Sequence, residues 1–591
     1  MEIPSTLKIV KVIHAYKNVF NTDFPGVTPG FGASAPCHNN INCEVGHNWQ
    51  DVSNSVAMVL LANNTRHCSG VLLNNSCQNL TPYFLTAFHC VDVGPGADLG
   101  NGNLTPNEID AAEDWVFRFQ YKSPACNGSD AVLFYSFSGS QFRAAFQDTD
   151  FALFELNSRP NASTGITYSG WTSTTTPASS SVGIHHPNGD VMKISIDENP
   201  ATSVGWFQPN THWRVNFNDG VVQHGSSGSP LFNQDRLVVG QLHGNQNYST
   251  LIPYCDQPIG EYGRFDVSWV GDSTNATRLS NWLDPLGVGG GTITTITIPS
   301  ITGPDRICAT NTNFTLQNVP AGQTVSWAVT PTHLFPSTGR SGTGTTAALR
   351  AASSSSSGLA TLTYTIDTDC GEYQVQKQLW VGVPDTGMQV EAYYYPICMN
   401  EYTYINAFYD PFNANPPGNK ASDITNFIWE QPSGVSCFTA GTKNEVLACW
   451  FTNPDNYIVR VRAVNSCGQG ALRTVHFNVD SWGCSYFSVG INPNPANGNV
   501  TIALTETPLD DAAKSVLQAE NKGSREFQQY SFNTPPHRIW VVDIVGAERL
   551  CVENVPEVNS YQLDIRHLTP GIYVVHIEHR NGTVVRQLRV E

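Results

Sequence analysis

Positive charge is scarce in this chain. Among 591 residues, 31 are Lys or Arg against 49 Asp or Glu, for a formal net charge of -18. A phosphate backbone is bound by Lys and Arg that neutralise it, so this balance argues against a nucleic-acid partner. Acidity of this size also serves solubility and by itself names no partner. No run of about 20 apolar residues is present, which excludes an ordinary transmembrane helix. The opening MEIPSTLKIVKVIHAYKNVF has no continuous apolar core, so it is not read as a signal peptide. The cysteines include no closely spaced pairs of zinc-binding type. His185-His186 lies in a turn-like HHPNG with no paired carboxylate at a familiar spacing. Neither a metal nor a cofactor is expected.

What is abundant is Gly, Pro, Ser, Thr and Asn, between short runs of Val, Ile, Tyr and Phe. That pattern predicts an all-β protein, and the length predicts several modules in series. Residues 1–30 read as a leader or propeptide remnant. Residues 31–287 form a long β-rich region, and GVGGGTITTITIPS supplies a linker over 288–299. Residues 300–383 and 384–484 read as two sandwich modules of Ig-like size. Each has Cys near both ends, so Cys308–Cys370 and Cys398–Cys467 are the expected bridges. The last module spans 485–591 and closes in a hairpin with Asn581-Gly582 at its turn. Fifteen cysteines in such a chain fit disulfides and an oxidising compartment, and the odd number leaves at least one without a partner in the chain. Cys437 and Cys449 are placed to close a small loop.

The chemistry concentrates in 31–287. A serine hydroxyl is a weak nucleophile and needs a neighbouring base, itself oriented by a third group. GSSGSPLF (225–232) offers the serines, YFLTAFHC (83–90) ends an apolar strand in His89, and DTDFALFELN puts Asp150 at the mouth of another. Asp148, two residues earlier, fits the strand register less well. Each piece alone has an ordinary structural reading: a His beside a Cys, an Asp capping a strand, a polar turn. The chain order His89, Asp150, Ser227 is that of chymotrypsin-type enzymes.

Residues 37–287 resemble trypsin-fold serine endopeptidases, and within that fold the bacterial lysyl endopeptidases. The stretches CSGVLLNN, YFLTAFHC, DFALFELN, GIHHPNGD, GSSGSP, GQLHG, YGRFDVSW and RLSNWLDP carry the likeness. It implies a two-barrel, chymotrypsin-like protease domain followed by β-sandwich modules. It further implies Ser227 as nucleophile, His89 as general base, Asp150 as its orienter, and an oxyanion hole from the backbone N–H groups of Gly225 and Ser227. Bridges Cys37–Cys255, Cys43–Cys126 and Cys68–Cys90 follow from the same likeness, with no partner for Cys77. Trp206 and His243 match pocket-side residues of the family.

Two departures bear on mechanism and specificity. Ser226 stands where trypsin-type zymogens carry the Asp that captures the new N-terminus, so activation differs. Lysyl endopeptidases carry an Asp two residues before the Tyr of their YGR stretch. The matching position here is Gly260, and Glu261 reaches the pocket only if the strand register shifts by one. The expected function is a secreted serine endopeptidase acting on protein or peptide substrates, cleaving after Lys if the pocket works as in the family. A glutamyl-type endopeptidase, in which His243 meets an acidic side chain, an esterase on the same triad, and an adhesin built on a degenerate protease domain are the alternatives. The final module, through NPNPANGNVTI and PGIYVVHIEHRNGTVVRQLRVE, resembles the sorting domain of the Bacteroidetes type IX secretion system. That implies secretion machinery as a partner, and release or attachment at the bacterial cell surface.

Overall fold

The computed structural model describes residues 30–95, 99–287, 291–392, 397–398, 402–409, 417–480, 487–492, 498–506, 538–543, 547–553, 560–579 and 582–591, with the single positions 494, 496 and 555. The expected leader up to residue 29, Cys484 and Asn581 lie outside them.

Two curled antiparallel sheets occupy the N-terminal part. The first has seven strands in the order Tyr135–Ser138, Val116–Phe119, Val56–Leu60, Arg66–Leu73, Tyr83–Ala87, Phe151–Leu156, Ser140–Phe146. Side chains alternate along a strand, so each of these strands serves two apolar surfaces. Leu72, Phe84, Phe117, Phe119 and Phe154 fill the inside of this barrel. Val71, Leu73, Leu85, Phe151 and Leu153 face the other way, onto Trp171, Ile184, Phe232 and Val238 of the second sheet. This explains why Val56–Leu60 is buried at all five positions. The second sheet runs through Lys193–Asp197, Ser181–His185, Pro230–Asn233, Val238–Gly244, Ile259–Arg264 and His212–Asn216. Its own interior is made by Trp213, Val215, Phe217, Leu231, Val239, Leu242 and Tyr262.

The stretch expected as a linker is not free chain. Thr292–Ile293 pairs with Trp171–Thr172, and Ile296–Thr297 with Thr167–Tyr168. Its β-branched Thr and Ile suit an added edge strand, and they carry the chain across the two-barrel unit.

Beyond it come three two-sheet units. In the first, Thr324–Thr330 alternates exposed and buried at every position, as a strand with one face on a core must. Its long hairpin, Ser357–Thr368 with Gly371–Gly382, forms the backbone of a five-stranded sheet. The second unit pairs Tyr402–Phe408 with Val446–Trp450 and Asp455–Asn465 with Arg473–Asp480. In the last, Gly571–His579 pairs with the terminal Gly582–Val590, and the hairpin closes at His579–Gly582. Gly582, expected in the turn, is already in the strand.

The cysteine pairing overturns both bridges expected within modules. Cys370 bonds Cys77 of the two-barrel unit, and Cys308 bonds Cys467 of the second sandwich. Strand geometry gives the reason. Cys308 follows Ile307, which pairs with Val381, whereas Cys370 sits at the opposite end of that hairpin, before Gly371. Twelve extended residues separate these ends by about 40 Å, far beyond a disulfide's reach. Likewise Cys398 pairs with Asp480, at the end of the sheet where Asp455 lies, and Cys467 follows Asn465 at the other end. The bridges consequently tie neighbouring units together. Cys37–Cys255, Cys43–Cys126, Cys68–Cys90 and Cys437–Cys449 are also formed, and Cys551 is free among the described cysteines.

Candidate active site

The strand Tyr83–Ala87 ends in a short turn, Phe88–Cys90, that carries His89. The Cys68–Cys90 bridge fastens this turn to Arg66–Leu73. Asp150 closes the turn before Phe151–Leu156 and adopts a left-handed backbone, φ 58°, which Asp tolerates better than most residues. It holds the His89 turn at three points. Its carbonyl accepts from the Phe88 N–H at 2.7 Å, Oδ1 accepts from the His89 N–H at 2.9 Å, and Oδ2 accepts from Nδ1 at 2.8 Å. With Nδ1 donating to the carboxylate, Nε2 is left as an acceptor, and Ser227 Oγ lies 2.8 Å from it.

Ser227 comes from the other barrel, yet is tied to both. Its carbonyl accepts from the Ser69 N–H, the Ser69 hydroxyl donates to the Gly225 carbonyl, and the Gly228 N–H donates to Leu242 O. Gly225 and Gly228 have φ of +86° and +79°. A Cβ at Gly228 would overlap Thr86 Oγ1 and the Ser69 carbonyl, so the turn admits only glycine there. Among the described residues, the N–H groups of Gly225 and Ser227 have no protein acceptor. Ser226 turns inward: its hydroxyl lies 2.6 Å from His185 Nδ1, and His185 Nε2 lies 3.1 Å from Ser195 Oγ. His185 is thus a buried imidazole bridging two hydroxyls beneath the turn.

Behind the His89 ring is a column of aromatic rings. His243 stacks on His89 with centroids 5.5 Å apart, and Trp206 stacks on His243 at 3.6 Å. His212 Nε2 meets His243 Nδ1 at 3.0 Å, and His243 Nε2 stands 3.9 Å from Asp150 Oδ1. Burial pushes His243 down to about 4 and, with the neighbouring His243, pushes His212 down to about 3, so both are neutral near pH 7. Burial also works to lower His89. The charge of Asp150 and its hydrogen bond outweigh it, and His89 titrates above its ordinary 6.5. The Asp150 carboxyl is held low by the reverse balance: burial would raise it, but His89 and His243 lower it further.

The structure therefore brings His89, Asp150, Ser227, Gly225, Trp206 and His243 together. It does not bring in Gly260 and Glu261. On Ile259–Arg264, Gly260 pairs with Val215 and faces the second barrel's core. Glu261 lies on the opposite face, fully buried; Oε1 accepts from Arg214 Nε at 2.8 Å and Oε2 from the Gln246 N–H at 2.8 Å. His212, Val222, Tyr248 and Tyr254 escaped the sequence reading. Val222 stands just before GSSG and Tyr254 just before the bridged Cys255, whereas His212 and Tyr248 carry no local signal.

Two β-barrels with Ser, His and Asp meeting at their junction define the chymotrypsin-like protease fold. Residues 31–252 match the model of the lysyl endopeptidase C-terminal domain family, and residues 490–591 that of the secretion system C-terminal sorting domain. A lysyl endopeptidase of Pseudomonas aeruginosa is 28% identical over 270 residues, covering 43% of this chain and 53% of that protein. The chain thus spans about half the length of this curated relative. Among solved structures, the Vibrio cholerae protease VesB matches 56% of this chain and 96% of its own at 12% identity, with a TM-score of 0.24. A Glu endopeptidase matches 36% and 85% at 18% identity, also with a TM-score of 0.24.

Proposed function

We propose that the two-barrel region, 31–287, is a secreted serine endopeptidase. The observation that carries this reading is the pair of 2.8 Å hydrogen bonds on the two nitrogens of His89, to Asp150 and to Ser227. Ser227 Oγ attacks the carbonyl carbon of the scissile peptide while its proton passes to His89 Nε2. The carbonyl π pair moves onto oxygen, where the N–H groups of Gly225 and Ser227 meet it; one such donor is worth on the order of 3 kcal/mol. The intermediate collapses, the C–N bond breaks, and the amine leaves with the proton from His89. Water, deprotonated by the same nitrogen, then hydrolyses the acyl-serine. Asp150 keeps the tautomer and stabilises the imidazolium, and it is itself buried, with His243 Nε2 3.9 Å from its Oδ1. A degenerate domain retained for adhesion has no need of this alignment.

A fluorophosphonate probe tests the reading on intact, folded protein. Covalent labelling is expected, and its loss in Ser227→Ala; a folded sample that takes no label refutes the assignment.

The pH profile follows from the charge state of His89. Only neutral imidazole accepts the serine proton, so kcat/KM rises with pH through the His89 pKa and levels off above it. Because Asp150 raises that pKa, the midpoint is expected above 6.5. His243 and His212, lowered to about 4 and about 3, are already neutral there and add no limb. Peptide hydrolysis measured from pH 4 to 9 checks this, and a flat profile contradicts it.

No helix among the described residues is long and apolar enough to cross a membrane. The match of 490–591 to a sorting domain supports export of the type IX kind, with attachment or release at the cell surface.

A further inference from the structure

The cavity beside Ser227 offers a substrate side chain no charge. It measures about 340 Å³, near the lower end of the roughly 300–1,000 Å³ usual for ligand pockets. One wall is Val222, Gln223 and His224, just upstream of the nucleophile turn, and the other begins at Leu242. Val222 and Leu242 also belong to the second barrel's core, with Val215, Phe217 and Tyr262, so the wall is continuous with apolar interior. At position 260 a Cβ would lie 2.9 Å from the Tyr262 ring and 3.1 Å from the Phe217 ring. The aromatic core has closed over the place where a pocket carboxylate would stand.

The nearby acids are engaged elsewhere. Glu261 is held by Arg214 and the Gln246 N–H on the far face of its strand, and Asp150 by His89. No described acidic side chain lines the cavity, and a Lys or Arg side chain entering it would leave its charge unpaired. No described Lys or Arg lines it either. Burial lowers His243 to about 4 and lowers His224 as well, which works against either meeting an acidic side chain as a cation, and His89 is already paired with Asp150. Gln223 Oε1 accepts from the Ala35 N–H at 3.0 Å and lies 3.3 Å from His38 Nε2, which turns it toward the N-terminal strap.

The rim is aromatic. Tyr248 and Tyr254 stack at 5.2 Å, and His224 stands edge-on to both, at 5.9 and 6.1 Å. Such a cluster takes a further ring in offset or edge-to-face contact. We propose that this cavity receives a large apolar side chain, Phe, Tyr or Leu, on the acyl side of the scissile bond, with Val222 and Leu242 as its wall and Tyr248 and Tyr254 as its rim. This rests on Ser227 being the nucleophile.

The test uses the full chain, with its active sites counted by fluorophosphonate titration. Peptides identical except for Phe, Tyr, Leu, Lys, Arg or Glu at that position are then compared. The three apolar residues are expected to exceed the charged ones in kcat/KM by about tenfold or more. Val222→Asp, which puts a carboxylate in the wall, is expected to raise Lys and Arg relative to Phe. If that variant does not fold, the unsubstituted enzyme's profile decides alone. A sample that titrates but cleaves after Lys, Arg or Glu as well as or better than after Phe overturns the inference and leaves the nucleophile assignment standing. A folded sample that fails to titrate overturns both.

Discussion

Ser227→Ala is expected to lower kcat by about a millionfold, the scale found when the serine of such a triad is removed. The methyl side chain has no oxygen to attack and no proton for His89, and the residual rate is that of water held near the backbone N–H groups of positions 225 and 227. The Ser227 hydroxyl's hydrogen bond is to His89, so the loss is chemical and the thermal unfolding midpoint stays close to that of the parent. Steady-state hydrolysis of a cleaved peptide, alongside a melting curve, measures both. A variant within tenfold of the parent would mean that another group attacks.

Asp150→Asn follows at about ten-thousandfold, through a different cause. Asn tolerates the left-handed backbone at φ 58°, so the fold is kept. An amide nitrogen facing Nδ1 donates where the carboxylate accepted. The ring proton then moves to Nε2, the position that must receive the serine proton. The carboxylate charge that raises the His89 pKa is also gone, so the acid limb of the pH profile moves downward. A merely structural role for Asp150 would lower the rate without moving that limb. A loss smaller than tenfold, or an unmoved limb, counts against the assignment.

Much of the site was legible in the chain because its parts are local. An apolar strand ending in His89, another opening after Asp150, and the turn Gly225 to Gly228 show as short motifs, since apolar runs and glycine's positive φ are dictated over a few residues, and their chain order joins them. The β-rich character of the later segments shows in short apolar runs between turn residues, and the structure adds that Thr324–Thr330 keeps one face on a core. Cysteine partners were not, because spacing along a chain does not say which end of a hairpin a residue occupies. The Gly/Thr stretch after 287 looked like a linker because its β-branched residues reveal a strand only once Trp171 and Tyr168 offer an edge.

The candidates His89, Asp150 and Ser227 and their order, the all-β class and the glycine-bound turn were legible in the sequence alone, since each depends on side-chain chemistry and short-range backbone geometry. Only the tertiary structure decided that Cys77 meets Cys370, that His243 and Trp206 stack behind His89 with His212 hydrogen-bonded to His243, and that Glu261 turns to Arg214 while Phe217 and Tyr262 close over Gly260. Those depend on which faces of distant strands are packed together, and a pocket's charge is set by the side chains that packing leaves facing the cleft.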